Sequence, residues 1–170
     1  VHGGPPGFHP GDLRRAQRER GLRVIVVDPR RTETAALADL HLAIRPGEDA
    51  TLLAGMIRLI LAEGLHDRAF CDEHVAGIAE LRDAVDAFTP DYVAHRTGIA
   101  AQRIGEAARL FARGPRGVAT AGTGPNMSTH PTLTEHLVLC LDTICGRWNR
   151  EGERVNAPSV LTPDLPRPAQ

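Results

Sequence analysis

Short apolar runs alternate with longer amphipathic stretches along the first half of the chain, a pattern that predicts an α/β fold. After a Gly/Pro-rich opening (VHGGPPGFH, residues 1–9), residues 10–20 read as a helix, with Pro10 or Gly11 near its start, Asp12 in the first turn and Gly21 after its end. Residues 22–27 (LRVIVV) form a nearly continuous run rich in Val and Ile, which predicts a buried parallel strand stopped by Asp28-Pro29. Residues 32–38 predict a short helix with Thr32 as its N-cap. Residues 40–44 (LHLAI) predict a second strand, ended by Arg45-Pro46-Gly47. Residues 48–63 predict the clearest helix, with Asp49 in its first turn and Gly64 after its last.

The second half reads as mostly helical. Helices are expected over 67–74 and 78–88, with Pro90 as punctuation, and over 100–113, where Ile104, Ala107, Ala108 and Phe111 share one face. A strand is expected at 117–121, then a loop (GTGPNMSTHP, 122–131), then a helix over about 132–146. The tail, 157–170, carries four prolines and reads as a linker or frayed end. No internal repeat is present, and a division into two lobes is placed near 64–78. Two strands in one half and one in the other are too few for a self-sufficient sheet. The expectation is therefore a segment of a larger protein.

Composition narrows the function classes. Of the 170 residues, 42% are apolar, enough for a buried core. Twenty basic residues, all Arg, against 21 acidic ones give a net charge of −1, which argues against a nucleic-acid or anionic-membrane binder. No apolar run reaches the length of a transmembrane helix. Cys71, Cys140 and Cys145 form no CxxC pair, so neither a disulfide framework nor a structural zinc site is expected. Cys140 and Cys145 read as small apolar core residues. The eight histidines form no HxxxH or HxH pair and read as surface or packing residues. Ser128 and His130 lie in no nucleophile-elbow pattern, so a hydrolase triad is not expected.

The candidate chemistry lies in the turns. In a doubly wound sheet, ligands bind beyond the carboxyl ends of the strands, and three loops would share that edge: 3–9, 28–32 and 45–49. A Gly-rich loop lets backbone N–H groups approach a pyrophosphate. Asp28, at a strand end, suits a ribose; Arg30 and Arg31 suit phosphate; Asp49 suits the donor edge of a guanine. The plainer alternatives stand beside these. Asp28-Pro29 can simply stop a strand, and Asp49 can simply favour a helix N-terminus by about 0.3–1 kcal/mol. The GxGxxG turn of a free-dinucleotide binder is absent.

Residues 24–67 (VIVVDPRRTETAALADLHLAIRPGEDATLLAGMIRLILAEGLHD) carry DPRxT, then A-D, then RPGxD at a spacing that resembles the molybdopterin oxidoreductases. This is the dimethyl sulfoxide reductase superfamily, which includes formate dehydrogenases and nitrate reductases. The similarity runs from Gly3 to about Val160 and weakens after Gly146. It implies partial Rossmann-like parallel sheets with flanking helices, residues 1–70 and 71–156 being parts of two dinucleotide-binding lobes. It implies an internal fragment that binds the guanosine and diphosphate of molybdopterin guanine dinucleotide, two of which hold molybdenum or tungsten in this family.

By match to the family pattern, Asp28, Pro29, Arg30, Arg31 and Thr32 would line one guanosine site, completed by Gly47, Glu48 and Asp49. Gly3 and Gly4 would cradle the diphosphate, and Thr123, Gly124 and Met127 would lie in a second loop near the pterin. Two departures are visible: the first loop, HGGPPGF, lacks the family's Asn, and Met127 stands where a Gln is usual. The metal ligand and a [4Fe–4S] cluster would belong to amino-terminal sequence outside this chain; Cys71 is not a candidate ligand, and no residue here is expected to be catalytic. The implied partners are the remainder of the same catalytic subunit and an electron-transfer subunit, without nucleic acid or membrane contact. The implied location is cytoplasmic, any export signal lying upstream. The alternative is a non-catalytic homologue serving as a structural subunit of an electron-transfer complex.

Overall fold

The computed structural model describes residues 10–155 and 167–168. The opening loop with Gly3 and Gly4, and most of the Pro-rich tail, lie outside the described residues. Helix α1 (Pro10–Arg20) leads into β1 (Ile25–Val27), α2 (Glu33–Leu37) and β2 (Leu40–Leu42). The two strands are parallel, with Ile25 opposite Leu40 and Val27 opposite Leu42. Parallel neighbours need a crossover of about a dozen residues, and residues 28–39, with α2 among them, supply it. Thr32 caps α2 as expected, its hydroxyl accepting from the Ala35 N–H at 3.2 Å.

Both strands are shorter than the apolar runs that announce them. Residues 22–24 precede β1: the Val24 carbonyl accepts the Asp39 and Leu40 N–H groups, while the Val24 N–H goes to the Asp39 carboxylate at 2.8 Å, which also pairs with Arg23 at 2.7 Å. The second run leaves the sheet after Leu42, and the Arg45 N–H is taken by the Thr97 carbonyl at 2.9 Å. Residues 117–121 correct the sequence reading outright, because they form no strand. Their Ala119 N–H donates to the Asp142 carboxylate at 2.8 Å, and Val118 is 73% exposed. At the other end, Arg154–Val155 (β3) pairs antiparallel with Arg167–Pro168 (β4), so the tail is not wholly irregular.

The helices are α3 (Asp49–Ala62), α4 (Arg68–His74), α5 (Ile78–Val85), α6 (Pro90–Thr97), α7 (Ala101–Arg113), α8 (Thr123–Asn126) and α9 (Pro131–Ile144). Pro90 opens α6, where its missing N–H costs nothing, and Thr89 accepts from the Tyr92 N–H as the cap. α3 is the central element: it packs on α5, α6, α7 and α9 and buries Leu52, Ile57 and Ile60. A glycine allows the closest approach. A Cβ at Gly55 would lie 2.7 Å from the Val93 Cγ2 of α6. Ile104, Ala107 and Ala108 of α7 are fully buried on the face read from sequence, with Phe111 partly buried beside them. One hydrophobic core runs from Leu40 to Cys145.

Candidate functional site

Two turns leave the carboxyl ends of the paired strands, and each is built by its own residues. After β1, the Asp28 N–H donates to the Leu42 carbonyl at 3.2 Å, so the turn starts while still tied to β2. The Asp28 Oδ1 accepts the Arg30 N–H at 2.7 Å, which closes an Asx turn around Pro29. The Asp28 carbonyl meets the His41 Nε2 at 2.9 Å. Arg30 and Arg31 are exposed, and neither guanidinium has a protein partner among the described residues. Thr32 ends the turn by capping α2.

The second turn follows Arg45, whose Nη1 donates to the carbonyls of His95 at 2.7 Å and Arg96 at 3.1 Å. Gly47 adopts φ +88°, the left-handed region where a side chain is strained, and a Cβ there would meet nothing within 4 Å. The backbone thus lies open to solvent at this point.

Glu48 and Asp49 are neighbours with opposite surroundings. Glu48 Oε1 accepts from Arg96 Nη2 at 2.8 Å and Nε at 3.1 Å, and Oε2 accepts from the Thr51 hydroxyl at 2.7 Å. Burial alone would raise its carboxyl, but Thr51 and Arg96 outweigh burial and hold it below the ordinary range. Asp49 is half-buried in the first turn of α3 and has no side-chain partner among the described residues. Burial pushes its carboxyl up, opposed only by its own backbone N–H. A half-buried carboxylate without a donor keeps unmet hydrogen-bonding capacity.

The second expected loop lies elsewhere. Thr123 and Gly124 begin the single turn of α8, Met127 follows it 82% exposed, and α8 packs on α9. Among the described residues, no hydrogen bond or ion pair joins this loop to the β1–β2 turns. The residues sequence reasoning missed are those that brace the turns: His41, Arg45 and Arg96, with Arg103 donating to the His41 carbonyl at 2.9 Å. His41 had a local signal, the outward position of a buried strand, flanked by Leu40 and Leu42. Arg96, 48 residues from Glu48, had none.

The family model for molybdopterin oxidoreductases matches residues 9–162. The chain belongs to the molybdopterin oxidoreductases. Within that family it is 32% identical over 139 residues to formate dehydrogenase H of Escherichia coli, a match covering 82% of this chain and 19% of the relative. It is 33% identical over 141 residues to a nitrate reductase of Synechocystis, covering 83% and 19%. Among solved structures, acetylene hydratase from Pelobacter acetylenicus superposes with a TM-score of 0.77 at 36% identity, covering 81% of this chain and 19% of that one. The family's α/β fold is thus present, mostly helical with a small parallel sheet. The chain spans about a fifth of the length of the curated relatives it matches. Membership in a molybdopterin oxidoreductase family implies a molybdenum or tungsten pterin cofactor. No helix among the described residues is long and apolar enough to cross a membrane.

The two turns hold an unpartnered carboxylate and two unpartnered cations among the described residues. A guanine presents two adjacent N–H donors, and Asp49 is the one carboxylate of the two turns whose side chain accepts no hydrogen bond from another residue among the described residues. A diphosphate needs cations, and Arg30 and Arg31 are uncommitted on the same edge.

Proposed function

We propose that this chain holds the guanosine and diphosphate of a molybdopterin guanine dinucleotide within a longer molybdopterin-dependent oxidoreductase. Asp49 carries the reading: its half-buried, donor-less carboxylate would accept both N–H groups of the guanine edge. Asp28 would offer its second oxygen to the ribose, while Arg30 and Arg31 would neutralise the diphosphate together with the backbone of Gly3 and Gly4. Pro29 and Thr32 would shape the first turn, and Gly47 would let the backbone approach the nucleotide. Glu48, tied to Arg96, would act by holding the second turn against α6. Residues 1–70 would serve one nucleotide-binding lobe and residues 71–156 a second, with Thr123, Gly124 and Met127 near the pterin. When bound, the pterin-held molybdenum or tungsten supplies the redox chemistry, and this chain positions the group that carries it. The rest of the catalytic subunit, with a [4Fe–4S] cluster, and an electron-transfer subunit are the proposed partners.

The test is Asp49→Ala in the full-length polypeptide, with guanine nucleotide quantified after acid extraction and the fold followed by circular dichroism. The expected result is a loss of at least tenfold in bound nucleotide with the spectrum unchanged. Undiminished nucleotide would overturn the assignment of Asp49. Wild-type protein that contains neither metal nor guanine nucleotide would favour a non-catalytic structural homologue.

A further inference from the structure

Away from the turns, α9 carries a pair that nothing in the proposed function uses. His136 and Cys140 are four residues apart on one helix face, and the His136 Nε2 lies 3.5 Å from the Cys140 Sγ. His136 is exposed and Cys140 half-buried, so the pair opens to solvent at one side. The helix that carries the pair is fixed in the core by Leu137, Leu141 and Ile144. The segment HLVLC has the i, i+4 spacing of an HxxxH pair with one ligand of each kind.

The distance is informative. Zinc binds His nitrogen at about 2.0–2.1 Å and Cys sulfur at about 2.3 Å with tetrahedral angles, which separates the two donor atoms by about 3.5 Å. The observed pair already has that separation without any side-chain movement. In the metal-free chain the same spacing suits a thiol-to-imidazole hydrogen bond, so neither group is strained while it waits. From this geometry we propose that His136 and Cys140 form a two-ligand site for a soft or borderline divalent cation of the zinc and cadmium class.

Imidazole and thiolate together select such ions over magnesium or calcium, which take oxygen ligands. Binding replaces the thiol proton: the metal–sulfur bond forms as the S–H bond breaks, and the proton leaves to solvent. No group of three or more His, Cys, Asp or Glu is assembled among the described residues, so the remaining corners of the tetrahedron fall to water. Burial pushes the free Cys140 thiol up, so a cation binds by displacing its proton.

Titration of the intact chain with cadmium chloride tests the site, read by the ultraviolet charge-transfer absorption of a cadmium–thiolate bond. One cadmium per chain is expected, with the band abolished in Cys140→Ala and affinity reduced at least tenfold in His136→Ala. Both variants are checked for an unchanged circular dichroism spectrum; His136 is exposed and its replacement leaves the core intact. Absence of the band in the wild type, its persistence in Cys140→Ala, or unchanged affinity in His136→Ala would each overturn the proposal.

Discussion

The β1–β2 edge and the α3-centred helical core are folded by different means. The core is finished from within: Ile57, Ile60, Ile104 and Val93 are fully buried, contributed by three helices separated widely in sequence. The edge joins that core through Leu40 and Leu42 of β2, and its turns are held by single polar links. Asp39 pins Val24, Asp28 closes its own turn, Thr32 caps five residues of helix, and Val27 remains 40% exposed. The turns that carry Asp28 and Asp49 thus stand at the margin of the core, held by polar links more than by apolar contacts. Such a division is what the proposed nucleotide site would need, with polar atoms kept free for a ligand.

The sharpest way to break the contrast is to truncate one side chain on each side. Ile57→Ala should cost about 2–5 kcal/mol by urea denaturation, and Val27→Ala less than about 0.5 kcal/mol. Comparable losses would mean that the edge shares the core's energetics. The helix glycines give a second pair. Gly55→Ala should cost about 1–3 kcal/mol because its methyl meets Val93 of α6. At Gly105 a Cβ meets only the Arg109 guanidinium, with Nη1 at 3.0 Å, and that guanidinium pairs with Glu63, so Gly105→Ala should cost less than Gly55→Ala. The midpoint of thermal unfolding should fall further in Gly55→Ala than in Gly105→Ala.

Smaller effects probe the edge itself. Thr32→Ala removes the α2 cap, worth about 1 kcal/mol. Hydrogen exchange should show faster exchange at Ala35 and its neighbours, with core amides unchanged. A uniform change across the chain would show that the edge unfolds only with the core.

The smallest effect concerns sign. Glu48 titrates below its ordinary range, so its contribution is present above the unfolded value of 4.5 and is lost as pH falls through the folded value. Asp49 titrates above its ordinary range, so its carboxyl costs nothing below the unfolded value of 3.8 and lowers stability as pH rises through the folded value. Denaturation from pH 3 to pH 7 should therefore change in opposite senses in Glu48→Gln and Asp49→Asn. Changes of the same sign in the two variants would contradict the assignment of their surroundings.

Much of the edge was legible because its causes are local. Thr32 and Ala35 are three residues apart, Asp28 and Arg30 two, and α3 shows its own buried stripe. The spacing of DPRxT and RPGxD carried the family as well. What failed did so for want of a partner in view. Residues 117–121 have the composition of a strand, but a carboxylate 23 residues away takes the Ala119 N–H instead. Pro90 reads as a break until Thr89 is seen capping the helix it begins.

Sequence alone determined the family, most helices, the parallel pair of strands and the turns that carry Asp28 and Asp49, because turn chemistry and helical period act over a few residues. Tertiary structure decided which of two adjacent carboxylates is free. Arg96 reaches Glu48 only because α6 packs on α3 across a glycine, and nothing within four residues of either side chain encodes that meeting.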